Sequence, residues 1–187
     1  MNLLKVKSHS PEQTQLLGNY LGKLAQRGDI FLLVGDLGTG KTCLVQGMAY
    51  GLGTKEYAFS PSFVIVREYH GRLPLYHIDF YRLDHIGEIA DLGLEEYFYG
   101  EGICVVEWAE KGLRVLPQNN LLIKLNYVSN CETQRTISLK PRGKHYLELI
   151  KRLKSALSKE FNCHPEQSEG SLDAVLSRAK DSSRSLS

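Results

Sequence analysis

No stretch of this chain approaches the ~20 consecutive apolar residues that cross a bilayer, and its first ten residues, MNLLKVKSHS, lack the apolar core of a secretory leader. Charge of one sign is equally scarce. Lys and Arg number 23 against 21 Asp and Glu, a formal charge of +2, which is too weak a field to argue for gripping nucleic acid or a membrane surface by electrostatics. Cysteine is sparse and scattered: Cys43, Cys104, Cys131 and Cys163 show no metal-type pairing. Cys43 and Cys104 fall in apolar periodic segments, where a thiol packs as a small hydrophobe. No internal repeat is present. These absences lead to the expectation of a reduced, cytoplasmic chain that stays off the membrane.

What is present is enough apolar residue for one core. With 187 residues, 42% of them hydrophobic and 24% charged, the chain suits a single α/β domain better than two. Its most informative stretch is Ile30 to Met48, IFLLVGDLGTGKTCLVQGM. Five apolar residues, Ile30 to Val34, read as a short buried strand that breaks into Gly35-Asp36-Leu37-Gly38-Thr39-Gly40-Lys41-Thr42 before a helical segment. That is G-x-x-x-x-G-K-[ST] between a strand and a helix, the setting in which it cradles phosphates. Gly35, Gly38 and Gly40 let the backbone turn its N–H groups inward, and the helix start adds its positive end. Thr39 and Cys43 lie within the same turn-and-helix anion site. Lys41 is placed to reach the β- and γ-phosphates and the Thr42 hydroxyl to ligate Mg²⁺. No Asn-Lys-x-Asp guanine-reading motif occurs, so ATP or ADP is the expected nucleotide. Asp84 to Gly87 matches D-x-x-G but does not end a buried strand, and it is set aside.

Along the chain, Leu3 to Lys7 alternates as an edge strand, and Ser10-Pro11-Glu12-Gln13 reads as a helix start with Ser10 as N-cap. Leu16, Leu17, Leu21 and Leu24 supply that helix's apolar face. Ser60 to Phe63 is a turn, and Phe63 to Tyr69 and Pro74 to Ile78 read as consecutive strands, which predicts a mixed sheet. Short helices are expected at Asp84 to Ala90 and Leu94 to Phe98, a buried strand at Ile103 to Val106, a hairpin from Leu121 to Tyr127 and Arg135 to Lys140, and a closing helix from Gly143 to Leu157. Residues 158–187 are rich in Ser, Glu and Gln and are expected to be a disordered, low-complexity extension of a domain spanning residues 1–157.

Hydrolysis needs more than a phosphate loop: an acid beside Mg²⁺ and a group that orients water. Two strand ends offer one, Leu75-Tyr76-His77-Ile78-Asp79 and Ile103-Cys104-Val105-Val106-Glu107. The second strand is the more uniformly apolar, so Glu107 is the preferred metal-side acid and Asp79 the candidate for positioning or activating water, with the direct metal contact left open between them. Ser62, on its turn, is a candidate sensor of the γ-phosphate. Trp108, the sole tryptophan, is a candidate for the site wall or a partner surface, with ordinary packing as the alternative. His77 is read as a hydrogen-bonded core histidine, and Arg82 as a surface or phosphate-facing side chain.

The order GDLGTGKT, SPSF, HIDFYRL, LGLEEYF and VVEWAEKG resembles the bacterial TsaE (YjeE) family across roughly Lys5 to Lys140. The resemblance implies a P-loop NTPase-type three-layer fold with helices flanking a central mixed sheet. It implies an ATPase component of tRNA threonylcarbamoyladenosine synthesis, working with a TsaD-type transferase and its TsaB-type partner. The tRNA, modified at adenosine 37 when it reads ANN codons, is met through that complex. Carried onto this chain, Gly38 to Thr42 hold phosphates, Thr42 and Glu107 lie near Mg²⁺, Asp79 serves hydrolysis, the Ser62 turn responds to nucleotide, and Ser10 lies near the adenine. Ser62 stands where the family usually has Thr and keeps the hydroxyl; Ala109 stands where it usually has Pro. Two readings outside this one are a nucleotide-dependent assembly switch with little hydrolysis and a P-loop small-molecule kinase, the latter disfavoured by scattered arginines with no lid.

Overall fold

Ile30–Val34 (β2) is buried at every position, as a strand covered by helices on both faces must be. It lies at the centre of a seven-stranded sheet in this computed structural model, which describes residues 3–128 and 131–160. The remaining elements are β1 (Leu4–Ser8), α1 (Pro11–Leu24), α2 (Lys41–Gly51), β3 (Val66–His70), β4 (Pro74–Asp79), α3 (Ile86–Ala90), α4 (Glu95–Phe98), β5 (Ile103–Glu107), β6 (Asn120–Val128), β7 (Cys131–Arg142) and α5 (Lys144–Glu160). The strand order is β1-β7-β6-β2-β5-β4-β3. Its middle, β6, β2, β5 and β4, is parallel, while β7, β1 and β3 join antiparallel. The sheet is therefore mixed, as the consecutive strands before Asp79 predict.

Strand alternation divides the core. Phe31 and Leu33 face one apolar cluster with Leu17 and Leu21 of α1, Leu44 and Met48 of α2, and Leu149 and Leu153 of α5. Leu32 and Val34 face a second cluster with Ile89 of α3 and Phe98 of α4. Helix α1 starts as read: Ser10 is its N-cap, accepting from Gln13 N–H at 3.4 Å, and Gln13 Oε1 reaches back to His9 N–H at 2.7 Å.

The pairing of α1 with α2 rests on glycines. A Cβ at Gly18 or Gly22 would fall on the carbonyl oxygens of Leu44 or Met48, and one at Gly47 or Gly51 on those of Gln15 or Asn19. Two small-xxx-small faces thus meet backbone to backbone, and the helix that starts at the Gly35–Thr42 loop is seated tightly on α1.

Three expectations need correcting. The strand read from Phe63 begins only at Val66, because Val64 and Ile65 N–H bond back to the Pro61 carbonyl and Ile65 takes φ 64°. The late hairpin is longer at both ends than the alternation alone indicates. The closing helix continues to Glu160. Residues 161–187, most of the expected extension, lie outside the described residues.

Candidate functional site

The Gly35–Thr42 loop leaves the C-terminal end of β2, where the parallel strands β4 and β5 also end, so Asp79 and Glu107 arrive side by side. They are register partners. Both point to the face covered by α1 and α2, and both are buried. A cleft of about 370 Å³ opens between these acids and the loop. Its walls carry Gly38, Gly40, Lys41, Thr42 and Cys43 from the loop and α2, Ser60 and Ser62 from the preceding turn, and Tyr81 and Trp108 beyond the strand ends.

Each acid is held. Asp79 Oδ2 accepts from Ser60 Oγ at 2.5 Å and Ser62 Oγ at 3.2 Å, and its Oδ1 accepts from Tyr81 N–H at 2.7 Å. Glu107 Oε1 is 2.9 Å from His77 Nε2, whose ring is completely buried. Lys41 Nζ donates to the carbonyls of Gly35 at 2.7 Å and Asp36 at 3.0 Å, and lies 3.8 Å from the centre of the Trp108 ring. Burial lowers the Lys41 pKa, and the carboxylates of Glu107, Glu110, Asp79 and Asp36 work against that shift.

Backbone strain is concentrated here. Among the described residues, Ile65 and Trp108 alone combine a side chain beyond Cα with positive φ, at 64° and 56°. Ile65 O accepts the Asp79 N–H at 2.9 Å, and Trp108 directly follows Glu107. Left-handed backbone at a β-branched or bulky residue is costly and collects at functional sites.

A second cleft, about 330 Å³, lies on the other side of the loop, lined by Ser10, Pro11, Thr14, Gly38, Thr39, Gly40, Cys43, Thr133 and Arg135. Ser10 is therefore beside the loop, although its hydroxyl is used as a helix cap. Thr39 is buried, its hydroxyl donating to Asp36 O at 2.8 Å. Cys43 borders both clefts, and its thiol, pushed up to about 11 mainly by burial, donates to Pro11 O at 3.2 Å. Gly35 lines neither cleft; its φ of 143° and the closeness of Leu125 O mark it as the turn out of β2.

Thus the sequence-derived candidates converge around one loop. Arg82 stays outside, its guanidinium 4.0 Å over the Phe63 ring. Sequence reasoning missed Ser60, the partnership of His77 with Glu107, Tyr81, and the loop contacts of Tyr127 and Arg135. A period-two pattern from His77 to Asp79 was the available signal for the second of these; the others depend on register and turn geometry.

As to donors, Thr42 and Glu107 offer hard oxygen atoms, the type Mg²⁺ takes. Among the described residues no group of three or more His, Cys, Asp or Glu side chains forms a metal cage. Oxygen donors of this kind would suit a cation that also takes phosphate oxygens and waters.

Comparison with known proteins gives a consistent picture. Residues 8–137 match the family model described as threonylcarbamoyl adenosine biosynthesis protein TsaE. A Bacillus subtilis (strain 168) protein named tRNA threonylcarbamoyladenosine biosynthesis protein TsaE is 42% identical over 154 residues, 82% of this chain and 95% of its own length. A Treponema pallidum protein of the same name is 38% identical over 135 residues, 72% of this chain and 100% of its own. The crystal structure of Bacillus subtilis YdiB superposes with a TM-score of 0.74 at 37% identity, covering 84% of this chain and 97% of that one.

Proposed function

The chain belongs to the TsaE family of threonylcarbamoyl adenosine biosynthesis proteins, and on that footing we propose that it binds and hydrolyses ATP to sustain N6-threonylcarbamoylation of adenosine 37 in tRNAs reading ANN codons. Its partners in this reading are a TsaD-type transferase and a TsaB-type protein, through which it meets the tRNA. The observation that carries the proposal is the convergence of Lys41, Thr42, Asp79 and Glu107 on one cleft beside the phosphate loop.

In this reading the loop amides and the α2 N-terminus hold the polyphosphate, and Lys41 exchanges its loop carbonyls for β- and γ-phosphate oxygens. Thr42 and Glu107 would hold Mg²⁺, which when bound supplies charge neutralisation on those phosphates. Asp79 orients a water and takes its proton as the oxygen bonds to the γ-phosphorus and the bond to ADP breaks. The turn carrying Ser60 and Ser62 already touches Asp79, so a contact from Ser62 to the γ-phosphate is transmitted to the group that handles water.

Reconstitution with TsaD-type and TsaB-type partners, tRNA and ATP tests the proposal, reading phosphate release and modified nucleoside by mass spectrometry. Multi-turnover modification that requires hydrolysable ATP is expected. Modification that cycles equally with a non-hydrolysable analogue would reduce the protein to an assembly switch. ATP-dependent phosphorylation of a small acceptor would favour a kinase.

A further inference from the structure

A phosphate loop that turns its N–H groups inward turns carbonyls outward, where side-chain donors or water can meet them. The inner carbonyls, Gly35 and Asp36, receive Lys41 Nζ, and Asp36 O also receives the Thr39 hydroxyl. The next three face the β6–β7 hairpin. Tyr127 Oη donates to Leu37 O at 2.9 Å, Arg135 Nη2 to Gly38 O at 3.3 Å, and Arg135 Nε to Thr39 O at 3.2 Å. Tyr127 and Arg135 are register partners across β6 and β7, and the guanidinium lies 4.2 Å from the centre of the tyrosine ring.

We propose that Tyr127 and Arg135 form an external brace for the phosphate loop, positioning residues that hold the Leu37, Gly38 and Thr39 carbonyls outward so that the loop amides converge on the polyphosphate before it arrives. Core packing does not account for Tyr127, which is 45% exposed and belongs to neither apolar cluster. Stacking orders each against the other, so the guanidinium spans two consecutive carbonyls with little freedom left to lose. Gly38 completes the fit, since a Cβ there would lie 2.6 Å from Tyr127 Oη. Both residues stand on the β6–β7 hairpin, whose β6 pairs with β2, the strand the loop leaves, and they reach the loop from about 90 residues on in the sequence.

The inference rests on nucleotide binding at this loop, but its first test does not. In the nucleotide-free full chain, hydrogen exchange of the Gly38, Thr39, Gly40 and Lys41 amides is compared among wild type, Tyr127→Phe, Arg135→Gln and the double variant. Faster exchange confined to those amides, with an unchanged unfolding midpoint, is expected. Unchanged loop exchange overturns the brace, and so does acceleration spread evenly over the sheet. Calorimetric titration with ADP is the second readout: each single variant should weaken binding by about three- to tenfold, with the double variant weaker than either but short of the product. Additive losses would mean two independent contacts rather than one brace. If wild type bound no ADP, the nucleotide reading would fail while the exchange result still judged the brace.

Discussion

His77 Nε2 lies 2.9 Å from Glu107 Oε1, with the imidazole fully buried and the carboxylate nearly so. The tautomer that lets the ring donate to this carboxylate is the one with its hydrogen on Nε2. His77 Nδ1 has no partner among the described residues, so the ring's polar contact in this network is the one to Glu107. If Glu107 holds Mg²⁺ as proposed, His77 orients a metal ligand, and replacing such a residue changes metal affinity. His77→Leu is therefore expected to weaken the Mg²⁺ dependence of nucleotide binding by about 10- to 100-fold, while metal-free ADP binding stays near wild type. His77→Gln, which can still place an N–H near Glu107, should recover part of the loss. Calorimetric titrations of Mg²⁺ into the nucleotide complex would decide it; a wild-type metal response in His77→Leu sinks the assignment.

Asp79 is fixed by two serine hydroxyls and the Tyr81 N–H. If Asp79 handles the attacking water as proposed, removing its carboxylate should slow that step and leave the loop amides in place. Asp79→Ala is expected to lower phosphate release by about a hundredfold or more, with ATP affinity changed far less. Ser60→Ala should give a smaller loss, because Ser62 still reaches the same oxygen. Equal release rates in wild type and Asp79→Ala would contradict the role.

Legibility in the sequence followed the range of the interaction. The strand-loop-helix around Gly35 to Thr42 was readable because its geometry is set by adjacent residues, and Ser10 as an N-cap for the same reason. Asp79 and Glu107 were readable as acids at the ends of apolar strands, and their register pairing explains why two such ends became one site. Ser60 was passed over for Ser62 because which hydroxyl meets Asp79 depends on the turn. Phe63 to Ile65 looked like strand because β-propensity is local, whereas the left-handed Ile65 follows from two N–H bonds to Pro61 O. Tyr127 and Arg135 were opaque for a different reason: their reach to the loop exists only once β6 and β7 are in register.

Glycine on α1 and α2 supplies a stability test. Gly47→Ala raises intrinsic helix propensity, which in an exposed helix would stabilise by about 0.5–1 kcal/mol. Here the added Cβ falls on the Gln15 carbonyl oxygen, and overpacking of this kind costs about 1–3 kcal/mol. The clash should win, lowering the urea midpoint and, because α2 begins at Lys41, loosening nucleotide binding too. A Gly47→Ala protein as stable as wild type would show that the helices separate without cost.

The two described thiols set an alkaline limit. Burial is the chief cause that raises Cys43 to about 11 and Cys104 to about 12, against 9.0 for an unperturbed thiol. Their folded values lie above the unfolded one, so this contribution is fully present below pH 9 and is lost as pH rises through 11 and 12. Unfolding midpoints measured from pH 8 upward should fall more steeply for wild type than for Cys104→Ala. Alkylation of Cys43 should also be slow at neutral pH and rise about tenfold per pH unit while the thiolate remains the minor form.

Trp108 offers an optical readout of the loop, since it is the only tryptophan and the Lys41 ammonium sits 3.8 Å from its ring centre. A cation over an indole face is an electrostatic contact sensitive to distance. Lys41 now gives its hydrogens to the Gly35 and Asp36 carbonyls, neither of which can compete with a phosphate oxygen bearing full negative charge. Nucleotide should draw the ammonium toward the loop interior and away from the indole, and the emission of Trp108 should change in proportion to occupancy. Lys41→Ala should start from an altered emission and respond little, and Trp108→Phe should be silent while still binding nucleotide by calorimetry. An emission change of wild-type size in Lys41→Ala would show that the indole senses the nucleotide directly, and the lysine would then not be the group that moves.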